Sequence, residues 1–330
     1  MGRGFKSLRR LYDMFKKFAL FLATILALVK ILAAVSAGGE IFDFLKIIPS
    51  AQLQALGGFN ASWPQKLDVL LINPAASPQA RPARFQFNTG YLVDSLLDTN
   101  GLFAISSGKN FFAINLDYLT IYQNKPLRTI ADNTQPDGYR ILGEINPYFY
   151  NLGFGWARRV AEDTSVGTRI KVVGQKLDQK QYCGLAVDAG LFYHPISGVL
   201  RKKAIDQDLW NLGVGITNLG LAVSDYPLPL GAYLGVSRIM SRWVTFGLGG
   251  VYYQSGTGEL NSGILVDISP AFSLSIGYNS PLKNDNLVEE FYQRFRGGFS
   301  LTFGPLGFNY AFVPAGGLGN NHFFGLIWIN

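Results

Sequence analysis

From Arg84 to its end, the chain carries one strong constraint: apolar residues recur at every second position between turn residues. The clearest case is 299–312, FSLTFGPLGFNYAF, in which bulky apolar residues alternate with small or polar ones on both sides of Gly304-Pro305. A period of two is typical of a β-strand with two different faces. The pattern predicts an all-β chain with strands at 84–92, 100–107, 110–119, 144–159, 164–177, 180–194, 208–220, 231–239, 242–254, 259–268, 271–279, 292–303, 306–312 and 321–329.

The connections between these fourteen segments sort by length. On one side, five of the six connections are short, and 195–207 is the long exception. The other side has mostly long connections, with a short exception at 178–179; the long ones are 120–143, 221–230, 280–291 and 313–320. Short turns on one side and long loops on the other are typical of bacterial outer-membrane β-barrels with an even strand number. The sequence therefore predicts a transmembrane antiparallel barrel of about 14 strands.

The two faces of the predicted strands suit lipid and lumen. Strands 164–177 and 180–194 exceed the roughly 9–11 residues that a tilted transmembrane strand needs. A charge that faces lipid costs about 2–4 kcal/mol near the midplane. We therefore expect four polar residues of the predicted strands to face the lumen, namely Asp188 in 180–194, Asp267 in 259–268, Asn309 in 306–312 and Asn115 in 110–119. The opposite faces, including Phe299, Leu301 and Phe303 and the alternating residues from Leu306 to Phe312, are expected to meet lipid.

The charge composition argues against a soluble or nucleic-acid-binding protein. Charged residues make up 15% of the chain, whereas about 25% is typical of soluble domains. The net charge of +7 comes mostly from residues 1–37, which hold seven basic residues and one acidic residue. The rest of the chain is nearly neutral, so no nucleic-acid partner is expected.

Residues 1–37 have the layout of a signal peptide. A basic stretch ends at Lys17, an apolar stretch runs from Phe18 to Val29, and small residues at 35–37 predict cleavage near Ala37. An uncleaved anchor is the alternative, but Lys30 interrupts the apolar run before it is long enough to span a bilayer. Either Met1 or Met14 could be the start. Export to the bacterial outer membrane is the expected destination.

Residues 38–83 do not alternate, and the barrel is expected to occupy 84–330. Within this N-terminal segment, 41–48 has helical spacing, and a Gly-bearing turn and a compact irregular stretch follow. INPAA at 72–76 predicts a turn capped by Asn73 and made rigid by Pro74. An ordinary connecting turn is the alternative reading of the same residues.

Several landmarks of the chain resemble the PorV/PorQ-like group of outer-membrane proteins, distant relatives of the FadL hydrophobic-compound channels. They are LQALGGFNAS, INPAA, the strand pair within 167–195, WNLGVGITNLG at 210–220 and the closing hairpins within 295–326, where Asn309 replaces the usual Asp. The resemblance implies a fourteen-stranded barrel with residues 38–83 folded into the lumen as a plug. It also implies that Asn73 holds the plug in place.

Two functions follow from this resemblance. The first is a FadL-like channel for hydrophobic or amphipathic small molecules, in which the lumen residues Asn73, Asp188, Asn218, Asp267 and Asn309 contact the plug or a ligand head group. Structural hydrogen-bond networks are the alternative role for Asp188 and Asn218. The second function is a PorV/PorQ-like component of a type IX secretion or surface-attachment system, with secretion proteins as partners and no solute transport.

Other functional classes have weaker support. A soluble exported adhesin or carbohydrate binder would not need loops sorted by length. An enzyme is not expected, because His194 and His322 have no accompanying nucleophile or metal-ligand motif. No metal or cofactor is expected, and the predicted partners are outer-membrane lipid and a hydrophobic small molecule.

Overall fold

The computed structural model describes residues 40–63, 67–79, 84–131, 134–135, 138–194, 209–221, 223–224, 226–282, 291–316 and 319–329. The predicted signal segment, 1–37, lies outside these ranges. The strands within them are β1 (Arg84–Leu92), β2 (Leu96–Ser107), β3 (Asn110–Ile121), β4 (Leu127–Ala131), β5 (Tyr139–Glu144), β6 (Tyr148–Arg159), β7 (Thr164–Leu177), β8 (Lys180–Tyr193), β9 (Leu209–Gly220), β10 (Gly231–Ile239), β11 (Val244–Tyr253), β12 (Gly258–Ser269), β13 (Phe272–Pro281), β14 (Phe295–Phe303), β15 (Leu306–Pro314) and β16 (Asn320–Ile329).

Fourteen of these strands close into an antiparallel barrel, which confirms the predicted fold class. The ring closes between β1 and β16, in a register that runs from Arg84 opposite Ile329 to Tyr91 opposite His322. Strand β3 pairs directly with β6, because β4 and β5 form a separate two-stranded sheet. Apart from Glu144, this small hairpin lies within 120–143, which the sequence pattern assigned to a loop.

Alternation along the strands separates an apolar outer face from a polar inner face. On the outer face, Phe303 is 65% exposed and Leu185 is 63% exposed, whereas Asp188 on the inner face is fully buried. The predicted hairpin forms as expected, with Phe303 paired to Leu306 across a turn in which Gly304 has a φ of +57°. Aromatic contacts such as Tyr310 to Phe324, at 5.3 Å between ring centroids, join neighbouring strands on the outer face.

The two ends of the barrel differ in their connections. At one end, here called the turn end, five connections have two to four residues and 194–208 is longer. At the other end, here called the loop end, the long connections are 122–147, 221–230, 282–294 and 315–319. Three loop-end connections are short, at 93–95, 178–179 and 254–257, so the sorting by length is less strict than the sequence pattern suggested.

The core of the protein lies inside the barrel, where described residues between 40 and 79, here called the plug, are buried against the wall. The plug contains α1 (Ala51–Ala55) and three 3-10 turns, Asp43–Lys46, Asp68–Leu71 and Pro74–Gln79. The Ser50 side chain caps α1 by accepting a hydrogen bond from the Leu53 amide at 3.1 Å. Within the described ranges, no helix is both long and apolar enough to cross a bilayer.

Candidate functional site

The plug runs through the lumen from the loop end toward the turn end. At the loop end, the Ile41 amide donates to the Pro227 carbonyl at 3.0 Å, and the Ser255 amide donates to Glu40 Oε1 at 3.2 Å. Nearer the turn end, the Ser165 hydroxyl of β7 donates to the Ala75 carbonyl at 2.8 Å. These bonds attach both ends of the plug to the barrel.

Lys46 adds an electrostatic contact at the loop end of the plug. It forms salt bridges with Glu40 and, at 3.0 Å, with Asp43. Burial alone would lower the pKa of Lys46, but the two carboxylates outweigh it and raise the pKa above its ordinary value. The ammonium group also lies 5.0 Å from the ring centre of Tyr253 on the wall.

Apolar contacts hold the body of the plug. Among the described residues, four buried hydrophobic clusters form, and each combines plug residues with wall residues. In one of them, Phe59 of the plug packs on Tyr233 of β10 with ring centroids 5.7 Å apart. Trp63 is 1% exposed in the same cluster. Because each cluster needs both surfaces, the barrel and the plug share one hydrophobic core.

Asn73 joins three segments of the chain. Its Nδ2 donates to the carbonyls of Ala61 in the plug and Leu191 in β8, both at 3.2 Å. Its Oδ1 accepts from the Ala75 amide at 3.0 Å, which closes the turn expected at INPAA. Asn73 itself is fully buried. The structure thus places Asn73 between the plug and the wall.

Asp188 lies at the centre of a buried ionic network on the wall. Its Oδ2 accepts from Arg169 Nε at 2.7 Å, and its Oδ1 pairs with Lys171 Nζ at 2.7 Å. The same Oδ1 accepts from the Thr217 hydroxyl and the Asn218 amide, at 3.0 and 2.8 Å. A register shift between β8 and β9 and a φ of +60° at Asn218 turn both of these donors toward the carboxylate.

The ionic network also reaches the plug. Arg169 Nη2 donates to the Leu71 carbonyl at 2.7 Å, while its Nε holds Asp188. Asn218 accepts a hydrogen bond from Lys171 and donates through Nδ2 to the Pro229 carbonyl at 3.0 Å. The structure thus brings Asp188 and Asn218 together and connects them through Arg169 to the plug.

A second carboxylate, Asp117 of β3, is held by amides. Asn115 and Asn151 donate to Asp117 Oδ2 at 3.1 and 2.5 Å, and Asn100 donates to Oδ1. Asp98 of β2 is also buried, and Asp117 is its electrostatic neighbour. Among the residues that the structure describes, no three His, Cys, Asp or Glu side chains come together as a metal-binding group.

A cavity of about 40 Å³ separates these polar groups from the plug. We call it the plug–wall cavity. On the plug side it is lined by seven apolar residues, Phe44, Leu45, Ile47, Ile48, Pro49, Phe59 and Leu71. On the wall side it is lined by the charged and polar residues Asp98, Asp117, Asn151, Arg169, Lys171 and Thr217 and by one apolar residue, Leu119. An apolar side opposite a polar side suits an amphipathic molecule. The volume is well below the roughly 150 Å³ of a cavity that holds benzene.

Asp267 and Asn309 lie apart from the plug–wall cavity. They line a different cavity, of about 260 Å³, near the turn end of the lumen, together with Gln52 of the plug. The Nδ2 of Asn309 is buried and has no hydrogen-bond partner. Six polar residues were expected to face the lumen. The structure groups Asp188 with Asn218 and Asp267 with Asn309, places Asn73 between plug and wall, and places Asn115 beside Asp117.

An apolar groove of about 350 Å³ lies on the outer face of the barrel. Leu234 and Leu248 border it, and Gly250 leaves space between the larger side chains. Its position on the lipid-facing side makes it separate from the lumen. It fits the expected partnership with membrane lipid, whose acyl chains would fill such a groove.

Sequence reasoning missed the cations and amides of the lumen. Arg169 and Lys171 lie two residues apart on a predicted strand, and the residues between and after them, Ile170 and Val172, are apolar. That alternation alone places both cations on the inner face. The pairing of Arg169 with Leu71, by contrast, joins positions that nothing in the local pattern connects.

Comparison with known proteins gives a match at the level of fold. No protein-family model and no curated protein matches the sequence. Among solved structures, the Pseudomonas putida toluene transporter TodX is 10% identical, with 86% of this chain and 99% of that chain covered and a TM-score of 0.59. The Ralstonia pickettii toluene transporter TbuX is 11% identical, with 87% and 98% covered and a TM-score of 0.55. A Pseudomonas aeruginosa FadL homologue is 10% identical, with 85% and 97% covered and a TM-score of 0.52.

These similarities extend over nearly the whole length of the solved chains. At such low identity they concern the arrangement of strands rather than particular residues. The chain therefore shares the closed-barrel fold of FadL-type outer-membrane transporters.

Proposed function

We propose that the protein is an outer-membrane channel that admits hydrophobic or amphipathic small molecules through a plugged barrel. The observation that carries this proposal is the plug–wall cavity, where an apolar plug surface faces a charged wall inside the lumen. The fold supports it, because the similar solved structures include two toluene transporters and a FadL homologue. The long loops would then face outside the cell and the turn end the periplasm.

Transport through this lumen requires the plug to shift. At about 40 Å³, the plug–wall cavity is large enough for water but too small for an aromatic hydrocarbon or an alkyl chain. The wall bonds from Arg169 and Asn73 hold the plug in this closed arrangement. The proposal includes a ligand-binding role for five lumen residues, Asn73, Asp188, Asn218, Asp267 and Asn309. It also includes removal of a signal peptide near Ala37, after which residues 38–83 form the plug.

The test is solute uptake into liposomes that contain the purified protein. We expect labelled toluene and a long-chain fatty acid to enter these liposomes faster than protein-free ones. The variant Arg169→Gln, which removes the bond to Leu71, is expected to increase the uptake rate. Arg242→Gln is the matched control, because Arg242 is exposed in the connection between β10 and β11. Uptake equal to that of empty liposomes for the protein and for Arg169→Gln would contradict a channel.

A second candidate function is a secretion or surface-attachment component of the PorV/PorQ type. The closed lumen favours it, since a permanent seal is useful to a protein that transports nothing. This function requires a protein partner. Gentle extraction from native membranes would then recover the barrel bound to a large translocon or an exported cargo, and extraction as a free barrel would count against it.

A further inference from the structure

The wall side of the plug–wall cavity contains a buried acceptor that lacks a hydrogen bond. Asn151 of β6 is 4% exposed and lines the cavity. Its Nδ2 donates to Asp117 at 2.5 Å, which leaves its Oδ1 without a partner. A buried polar atom in this state costs free energy unless a donor arrives from a ligand or a water molecule.

The groups around this acceptor are also acceptors. Asp98 and Asp117 line the same cavity, and both carry carboxylates. The amides of Asn100, Asn115 and Asn151 donate to Asp117, whose carboxylate has room to accept one more hydrogen bond. Asp98 has Asp117, another carboxylate, as its electrostatic neighbour. This corner of the cavity therefore offers oxygen atoms that can accept hydrogen bonds.

The charged groups in the lumen also favour a positively charged ligand. The two cations that line the cavity, Arg169 and Lys171, already share Asp188, at 2.6 and 2.7 Å. With Asp98 and Asp117 included, three carboxyl groups lie near two cations. A buried carboxyl group keeps its charge only where a cation compensates it, so a cationic ligand beside Asp98 would stabilise the carboxylate form of that side chain.

We propose that Asp98, Asp117 and Asn151 form a head-group site for the protonated amine of a primary alkylamine. An ammonium group brings three N–H donors to three oxygen acceptors, whereas a carboxylate would bring none. The apolar plug residues Phe44, Leu45 and Ile47, on the opposite side, would contact the alkyl chain as the plug shifts. This assignment rests on the proposed channel function and names the class of substrate that the channel prefers.

The test compares three probes with the same chain: hexylamine, hexanol and hexanoate. Their binding to the purified protein in detergent is measured by isothermal titration calorimetry at neutral pH. Since a hydrogen bond to a charged group contributes about 1.5–3 kcal/mol, we expect hexylamine to bind at least about tenfold more tightly than hexanoate, with hexanol between them.

Two matched substitutions locate the site. Asp98→Asn keeps the shape of the side chain and removes its charge, so hexylamine affinity is expected to fall about tenfold while hexanol affinity stays within about twofold. Asp178→Asn is the control, because Asp178 lies in the exposed β7–β8 turn and its φ of +51° suits Asn. It should leave all three affinities unchanged. Heat-dependent mobility in gel electrophoresis verifies that each variant is folded.

The outcomes separate the head-group site from the channel. If all three probes bind with similar affinity, or if Asp98→Asn leaves hexylamine binding unchanged, the amine assignment is wrong and the channel proposal stands. If none of the probes binds, and liposome uptake is also absent, both proposals fail. Preference for hexanoate would likewise overturn the amine assignment.

Discussion

Gly277 of β13 lies so close to Gly57 of the plug that a Cβ on Gly277 would overlap the Gly57 amide nitrogen. Gly57 is also close to the backbone of the wall. A Cβ on Gly57 would lie 2.6 Å from the Ser262 carbonyl oxygen, and Gly57 has a φ of +97°. Two glycines that face each other thus let the plug backbone rest directly on the wall.

Gly277→Ala is expected to keep the plug from seating. The added methyl group meets the plug backbone at Leu56 and Gly57, and overpacking of this kind costs about 1–3 kcal/mol. The midpoint of urea unfolding should fall, and conductance in planar bilayers should rise. Gly307→Ala is the control, because its Cβ would lie 3.6 Å from Ile327, an ordinary contact. Equal behaviour of the two variants would show that the close approach is unimportant.

Asn73→Ala tests the hydrogen bonds that join plug and wall. The substitution leaves the Ala61 and Leu191 carbonyls and the Ala75 amide without their side-chain partner, at an expected cost of about 3 kcal/mol in unfolding free energy. Urea unfolding followed by fluorescence measures this. Asn309→Ala is a matched control with an expected loss below about 1 kcal/mol, since the Asn309 Nδ2 makes no hydrogen bond. Similar losses for both would argue against Asn73 as an anchor.

Arg169→Gln removes the cation that joins Asp188 to the plug. Breaking a buried ion pair from one side costs about 3 kcal/mol or more, because the remaining partner loses its compensation. Asp188 keeps Lys171, so we expect a folded barrel with a looser plug rather than unfolding. Faster proteolysis within residues 40–79 would show this. If Arg169→Gln and Arg242→Gln are cleaved at the same rate, Arg169 does not hold the plug against the wall.

Ile276→Lys tests whether the outer face meets lipid. Ile276 is 60% exposed in the middle of β13, so a soluble protein would tolerate lysine there. In a bilayer the charge is expected to cost about 2–4 kcal/mol. Folding into liposomes, measured by urea titration, should show this loss. Leu142→Lys, at a 52% exposed position in the β4–β5 hairpin, should show none.

The strand layout could be predicted because it depends on the pattern of residues within each short segment of the sequence. In the hairpin around Gly304-Pro305, alternate residues of each strand face opposite sides of the sheet. Strands that follow one another in the chain are mostly neighbours in the barrel. The start of β2 at Leu96, four residues before the predicted start, shows how weak the signal is at strand ends. The β4–β5 hairpin was missed because its strands are short and exposed on both faces.

The lumen was less predictable because its contacts join distant parts of the chain. That Asp188 faces inward follows from alternation, but its pairing with Arg169 depends on the register of β7 against β8. That Leu71 accepts from Arg169 depends on how the plug sits, which no periodic pattern encodes. The landmarks around Gly57 and Asn73 gave the one sequence signal for this contact surface.

The closure between β1 and β16 sets an order of events during folding. Strand β1 comes directly after the plug, and its partner β16 is the final strand of the barrel. The ring therefore stays open until the last strand arrives, and pairing so distant in sequence is slow to form. Because the buried clusters of the plug also use wall residues, we expect the plug to be in position before the ring closes. The plug would then act as an internal template on which the strands assemble, and the lumen would already be filled when the barrel closes.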